Sequence, residues 1–173
     1  MRTTFAVAFA AFIASIPVLA FAAPAATATL RDAQGKTIGS VTLTPADGGV
    51  RIGVNVSAVA PGLHGFHVHA VGKCEGPEFK SAGGHFNPAT REHGLDNPKG
   101  SHAGDMPNLS VGADGTGKGD FPARGATLEP GPGSLFPDGG TSLVLHAAPD
   151  DMKSDPAGNA GARIACGAIE RTP

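Results

Sequence analysis

The sequence predicts an all-β domain, an antiparallel sandwich or barrel of about eight short strands. Short segments that alternate apolar and polar residues recur along the chain, with turn-forming residues between them. No segment sustains the 3.6-residue period of an amphipathic helix. The 173 residues include 26 Gly and 15 Pro, a density of helix-breaking residues that excludes a helical bundle.

The predicted strands are short and begin close to residue 27. Residues 27–31 and 37–44 flank the turn sequence Asp32-Ala33-Gln34-Gly35, which predicts a β-hairpin. Residues 50–59 place apolar side chains at even positions, which predicts a half-buried strand. Further strands are predicted at residues 66–69, 109–111, 141–146 and 162–169.

Two long stretches, residues 72–108 and 147–162, do not fit strands because Gly and Pro interrupt their polar residues. Loops of this length in a compact domain usually carry function. The sequence therefore predicts two long functional loops.

The composition predicts a thin hydrophobic core. Leu, Ile, Val and Phe account for only 27 of the 151 residues from position 23 onward. The formal net charge is −2, which argues against a basic nucleic-acid binder. A thin core with little charge suggests that metal or a disulfide stabilises the fold, and the chain has seven His and two Cys.

Residues 1–22 predict a secretory signal peptide, which leaves residues 23–173 as a single domain. Arg2 supplies a positive charge, an apolar run follows, and Ala20-Phe21-Ala22 fits a cleavage site. The alternative, a membrane anchor, needs a longer apolar run than this one. Export places the chain in an oxidising compartment, where two Cys are expected to form one disulfide.

The histidines fall into patterns typical of metal sites. His67 and His69 lie two residues apart on a predicted strand, so both imidazoles face the same side and can hold one metal. His146 ends the predicted strand at residues 141–146. A further set, at spacings of 8, 9 and 3 residues, offers three nitrogens and one oxygen to a tetrahedral zinc: His85, His93, His102 and Asp105.

The segment between Cys74 and His85 resembles the longer disulfide loop of the secreted, periplasmic bacterial copper/zinc superoxide dismutases, and four other segments closely resemble the family as a whole. They are residues 65–69 (GFHVH), 83–88 (GGHFNP), 102–105 (HAGD) and 158–167 (GNAGARIACG). The resemblance runs from about residue 27 to Ile169 and implies a Greek-key arrangement of the strands. It also implies dismutation of superoxide to oxygen and hydrogen peroxide, by one-electron cycling of a His-ligated copper beside a structural zinc.

The resemblance assigns a role to each matching residue. The implied copper ligands are His67, His69, His85 and His146. The implied zinc ligands are His85, His93, His102 and Asp105, so that His85 bridges the two metals. Asp150 would hydrogen-bond one histidine of each site, Cys74 and Cys166 would form the disulfide, and Arg163 would guide the anionic substrate.

Some residues depart from the family pattern or have no role in it. Small residues replace the charged residues that line the substrate channel of many animal members: Ala147, Ala148, Pro149 and Ala157. Lys153 is the only Lys in that loop. His64 points away from the His67 side of its strand and is interpreted as structural.

Two rival functions follow from the same residues. One is a non-enzymatic copper/zinc carrier or buffer on the same fold, which a lost copper ligand or a missing Arg163 would favour. The other is a structural secreted domain whose histidines only stabilise a thin core. The expected partner is superoxide, with neither nucleic acid nor a membrane anchor after cleavage, and a homodimer is left open.

Overall fold

Ten β-strands and a short 3-10 helix, Lys80–Ala82, form the regular structure of residues 25–173, the part of the chain that the computed structural model describes. The predicted signal peptide at residues 1–22 lies outside the described residues. The strands are β1 (Ala26–Asp32), β2 (Thr37–Ala46), β3 (Gly49–Val56), β4 (Gly62–His64), β5 (Phe66–His69), β6 (Leu109–Val111), β7 (Gly117–Arg124), β8 (Ser142–His146), β9 (Arg163–Ala168) and β10 (Glu170–Arg171).

The strands form one antiparallel sheet that closes almost completely into a barrel. The order of hydrogen-bonded neighbours is β4-β6-β7-β3-β2-β1-β9-β8-β5, with β10 paired to β1. The first and last strands of this order, β4 and β5, are separated in sequence only by Gly65. One chain segment therefore joins both edges of the sheet.

The predicted fold class is confirmed. With β4 and β5 counted as one strand and the two-residue β10 set aside, the barrel has eight strands. The pairs β3–β7 and β1–β9 join strands that are not consecutive in sequence, as a Greek key requires. The β1–β2 hairpin forms as predicted, and the even positions of β3 are buried from Val50 to Val56.

Strand β7 is absent from the sequence prediction, and so is the long connection at residues 125–141 that follows it. The segment Gly117–Arg124 contains two Gly and one Pro, which disfavour a strand interior. It forms a strand because it pairs with β3 along its whole length, whereas it pairs with β6 only at Gly117. On the side of β7 away from β3, the hydrogen-bond ladder is therefore open at Pro122, and an open strand edge is the setting in which a strand accepts Pro.

Both predicted long loops are confirmed. Residues 70–108 connect β5 to β6 and contain only the 3-10 helix, and residues 147–162 connect β8 to β9. The Cys74–Cys166 disulfide ties the first loop to β9 and is packed against Phe79, Ala82 and Val144 in a small apolar cluster of its own. Residues 25–173 include no helix with the length and apolar character that crossing a membrane requires.

Candidate metal centre

The barrel wall positions three histidines of the centre. His67 and His69 lie on β5, where alternate side chains share one face. β8 pairs antiparallel with β5 and ends at His146. His85 reaches the same place from the first long loop, through an isolated β-bridge to His69. All four rings are buried, because the two long loops cover this end of the wall.

The first cluster consists of His67, His69, His85 and His146, whose potential ligand atoms all lie within 4.8 Å of one another. Each ring has one buried nitrogen without a hydrogen-bond partner: Nδ1 of His67 and Nε2 of the other three. Buried polar atoms are normally hydrogen-bonded, so four orphaned nitrogens converging on one point indicate a cation site. Four imidazole nitrogens are a donor set that suits copper.

Hydrogen bonds at the opposite ring nitrogens fix how these rings are oriented. His67 Nε2 lies 2.6 Å from Asp150 Oδ2, and His69 Nδ1 lies 3.0 Å from the Gly83 carbonyl oxygen. His146 Nδ1 lies 3.3 Å from the Gly161 carbonyl oxygen. A ring nitrogen that donates its proton outward leaves the other nitrogen with a free lone pair, which is the state that a metal ligand needs.

The second cluster consists of His85, His93, His102 and Asp105. The Nδ1 atoms of the three histidines lie 2.9, 3.0 and 3.3 Å from the same carboxylate oxygen, Asp105 Oδ1. Ligand atoms at the corners of a zinc tetrahedron are about 3.3 Å apart, given zinc–ligand bonds of about 2.0 Å. Asp105 Oδ2 instead accepts hydrogen bonds from the Gly94 and His102 backbone N–H groups, which turns Oδ1 toward the rings. The set therefore fits zinc.

His85 belongs to both clusters. Its Nδ1 faces Asp105 Oδ1, and its Nε2 is the orphaned nitrogen in the first cluster. Burial lowers the pKa of His85 to about 4 against the opposing effect of Asp105. Burial also lowers the pKa of His146, to about 3, and that of His69 well below its usual value. These rings are neutral at physiological pH and their lone pairs are available to cations.

Asp150 connects the two clusters from outside. Its carboxylate lies 2.6 Å from His67 Nε2 and 3.1 Å from His93 Nε2, so that it contacts one histidine of each set. Burial acts to raise the pKa of Asp150, but hydrogen bonds from His67 and His93 lower it below its usual range. Burial likewise acts to lower the pKa of His93, but hydrogen bonds to Asp105 and Asp150 raise it to about 9.

Arg163 begins β9 beside the first cluster and is paired in register with His146. Its guanidinium donates from Nη1 to the Phe79 carbonyl oxygen at 2.7 Å and from Nη2 to the Gly83 carbonyl oxygen at 2.6 Å. The Gly83 carbonyl also accepts from His69 Nδ1. Arg163 is therefore held next to a ring of the first cluster, and partial burial lowers its pKa without removing its charge.

The structure thus brings together every site residue predicted from the sequence. It also adds two residues that no sequence pattern assigns to the site. The Asn108 side chain hydrogen-bonds the Asp150 backbone. In the sequence, Asn108 stands out only as the first residue of a common Asn-x-Ser pattern. Gly158, at φ +62°, lies against the Asp150 carboxylate and His93 Nε2 so closely that a Cβ atom would overlap both. No pattern in the sequence gives these contacts, because they depend on how the loops fold over each other.

The residues outside the family pattern are also placed. His64 is buried, with its ring nitrogens 2.8 Å from the carbonyl oxygens of Ala60 and His146, which agrees with a structural role. Lys153 and Asp151 are exposed on the second long loop. Asp151 accepts hydrogen bonds from the backbone of Lys153 and Ser154 and from the Asn159 side chain. These hydrogen bonds join residues of the same loop and stabilise its conformation.

An antiparallel barrel with two adjoining four-ligand sites that share one histidine defines a binuclear metalloprotein. The family model for copper/zinc superoxide dismutase (SODC) matches residues 37–169. The chain belongs to the copper/zinc superoxide dismutase family, as an enzyme of that type with copper and zinc as its cofactors. The resemblance drawn from the sequence is confirmed.

Curated and solved relatives agree with this assignment. The chain is 49% identical over 139 residues to superoxide dismutase [Cu-Zn] 1 of Aquifex aeolicus, covering 79% of this chain and 82% of the relative. It is 42% identical to superoxide dismutase [Cu-Zn] of Caulobacter vibrioides, covering 84% and 85%. A crystal structure of a double mutant of a SOD-like protein from Bacillus subtilis superimposes with a TM-score of 0.79 at 41% identity, covering 82% of this chain and 95% of that one.

Proposed function

We propose that the protein dismutates superoxide to oxygen and hydrogen peroxide at a copper held by His67, His69, His85 and His146, beside a zinc held by His85, His93, His102 and Asp105. The observation that carries the proposal is the position of His85. One of its nitrogens faces the zinc-type set, and the other is a buried, unpartnered atom of the copper-type set. When bound, copper supplies one-electron redox chemistry, and zinc supplies a fixed positive charge.

The protein's own contribution begins with His85. Its ring is buried and fixed at Nδ1, so its Nε2 has a single direction in which to accept or release a proton. Hydrogen peroxide contains two protons that superoxide lacks, so the reaction needs a proton donor close to the substrate. His85 Nε2 is the atom that we assign to this transfer, and it would carry the proton only while it does not bind copper, because one lone pair cannot hold both.

Arg163 is assigned to binding the substrate. Superoxide is a small monoanion with little surface to contact, so its affinity depends on a nearby positive charge. Two of the five guanidinium N–H donors of Arg163 bond the carbonyl oxygens of Phe79 and Gly83, which leaves donors for an anion beside His69. The guanidinium remains charged at every relevant pH.

The test combines metal analysis with superoxide consumption by the purified protein. We expect one copper and one zinc per chain and rapid consumption of superoxide, with both metals disturbed in His85→Ala. Both metals bound without superoxide consumption would favour the alternative, a copper/zinc carrier or buffer. The presence of all four copper-type histidines and of Arg163 argues against that alternative.

We also propose that the protein is exported to the periplasm. Three features support this proposal: the signal-like residues 1–22, the Cys74–Cys166 disulfide, which fits an oxidising compartment, and the bacterial relatives. Mass spectrometry of the protein from a periplasmic extract should give a chain that begins at residue 23 or 24. A chain that retains residues 1–22 would contradict the proposal.

A further inference from the structure

We propose that Asn108 is a positioning residue for both metal sites, acting through the backbone of Asp150. The inference rests on the proposed function, because it takes His67 and His93 as ligands of the two metals. The Asn108 side chain forms its hydrogen bonds with the Asp150 backbone and not with either of these rings. It fixes the residue whose carboxylate orients both of them.

The contact between Asn108 and Asp150 has two hydrogen bonds. Asn108 Nδ2 donates to the Asp150 carbonyl oxygen at 2.9 Å, and the Asp150 backbone N–H donates to Asn108 Oδ1 at 2.8 Å. Across residues 25–173, these are the hydrogen bonds that satisfy the Asp150 backbone. The two residues are 42 positions apart, one at the end of the first long loop and the other in the second.

Asn108 is anchored to the barrel wall and not to a free loop. The next residue, Leu109, is fully buried and begins β6, where it pairs in register with His64 of β4. His64 in turn contacts the carbonyl oxygen of His146. Neighbouring positions of the β4–β6 pair therefore hold the end of β8 at His146 and the second loop at Asp150, and the barrel wall fixes the position of the Asp150 backbone.

The position of that backbone decides the position of the carboxylate. The Asp150 side chain is only 1% exposed, and its oxygens lie 2.6 Å from His67 Nε2 and 3.1 Å from His93 Nε2. An aspartate has a short side chain, so a small rotation of its peptide moves both oxygens together. Disturbing Asn108 is therefore expected to loosen one ring of the copper set and one ring of the zinc set at the same time.

The experiment compares Asn108→Ala and Asn108→Asp with the parent holoenzyme. Zinc affinity is measured by competition with a chelator, and the copper site by its visible absorption and electron paramagnetic resonance spectra. Loss of a residue that hydrogen-bonds a metal ligand typically weakens metal binding 10–100-fold. For Asn108→Ala we expect a zinc affinity about tenfold lower than that of the parent and an altered copper spectrum. Asn108→Asp should lie between, since it keeps an acceptor for the Asp150 N–H but loses the donor.

Ile52→Val is the matched control for a loss of stability alone. Ile52 is fully buried on β3, which pairs with β2 and β7 and not with the strands that carry the histidines. We expect it to lower the unfolding midpoint while its zinc affinity and copper spectrum stay those of the parent. If it changes the metals as the Asn108 variants do, the positioning role is wrong.

Parent-like zinc affinity and copper spectra in folded Asn108 variants would overturn this inference and leave the proposed function intact. Absence of both metals from the parent would overturn both. If Asn108→Ala does not fold, Asn108→Asp decides the matter, because it preserves the size of the side chain.

Discussion

Loss of the Cys74–Cys166 disulfide is expected to remove a large part of the protein's stability. The two residues are 92 positions apart. For a loop of that length the chain-entropy relation gives about 4.6 kcal/mol at room temperature, within the observed range of roughly 2–5 kcal/mol for native disulfides. Since a domain of this size melts about 2–4 °C lower for each kcal/mol lost, the melting temperature should fall by roughly 9–18 °C.

The assay is urea unfolding of the metal-free protein, so that metal binding does not add to the stability of the folded state. The parent is compared with Cys74→Ser, because Cys74 is the half-buried partner and Cys166 is fully buried. The chain has no Trp and no Tyr, which leaves circular dichroism as the probe of unfolding. A difference in unfolding free energy below about 2 kcal/mol would refute the loop-entropy argument.

The same variant is also expected to lose activity, for a separate reason. The disulfide anchors the segment whose Phe79 and Gly83 carbonyl oxygens hold the Arg163 guanidinium. Without that anchor Arg163 loses its fixed position beside His69. Parent-like superoxide consumption by folded, metal-loaded Cys74→Ser would show that Arg163 does not depend on this segment.

Three further predictions concern the centre itself. His85→Ala should disturb the copper spectrum and zinc retention together, whereas His93→Ala should release zinc first; an unchanged copper spectrum in His85→Ala would exclude a shared ligand. Arg163→Ala should slow superoxide consumption roughly ten- to hundredfold, equivalent to about 1–3 kcal/mol, with Arg163→Lys between. Pulse radiolysis across a salt series should show a weaker dependence on ionic strength in Arg163→Ala than in the parent. Gly158→Ala should weaken zinc binding, because the new Cβ would overlap the Asp150 carboxylate and His93. The positive φ at this position also costs a residue with a Cβ about 1 kcal/mol or more. Normal zinc retention in this variant would show that the loop can relax around the new side chain.

The metal-ligand candidates were accessible from the sequence because their patterns are local. Two histidines on one strand face must share a direction, and the zinc-type set falls within 21 consecutive residues. His146 needed one further fact, that β8 lies beside β5, which strand prediction alone does not supply. The resemblance to a known family supplied it.

The supporting contacts were not accessible in the same way. Asn108 and Asp150 meet only because the ends of two loops fold onto the same part of the wall. Strand β7 was hidden because its Gly and Pro residues mimic a turn, and pairing with β3 overrides that local preference. Sequence patterns therefore gave the groups that can bind metal, while the groups that hold them in place depended on tertiary contacts.

The partly unpaired side of β7 bears on how the protein behaves at high concentration. An open strand edge is a template on which another chain can add a strand and begin an aggregate. From Lys118 onward this edge carries exposed Lys118, Asp120, Pro122 and Arg124 at alternate positions. Charges and a residue without an N–H group are the features that oppose such pairing. Pro122, which makes the β7 segment resemble a turn in the sequence, therefore also opposes self-association of the folded protein through its sheet.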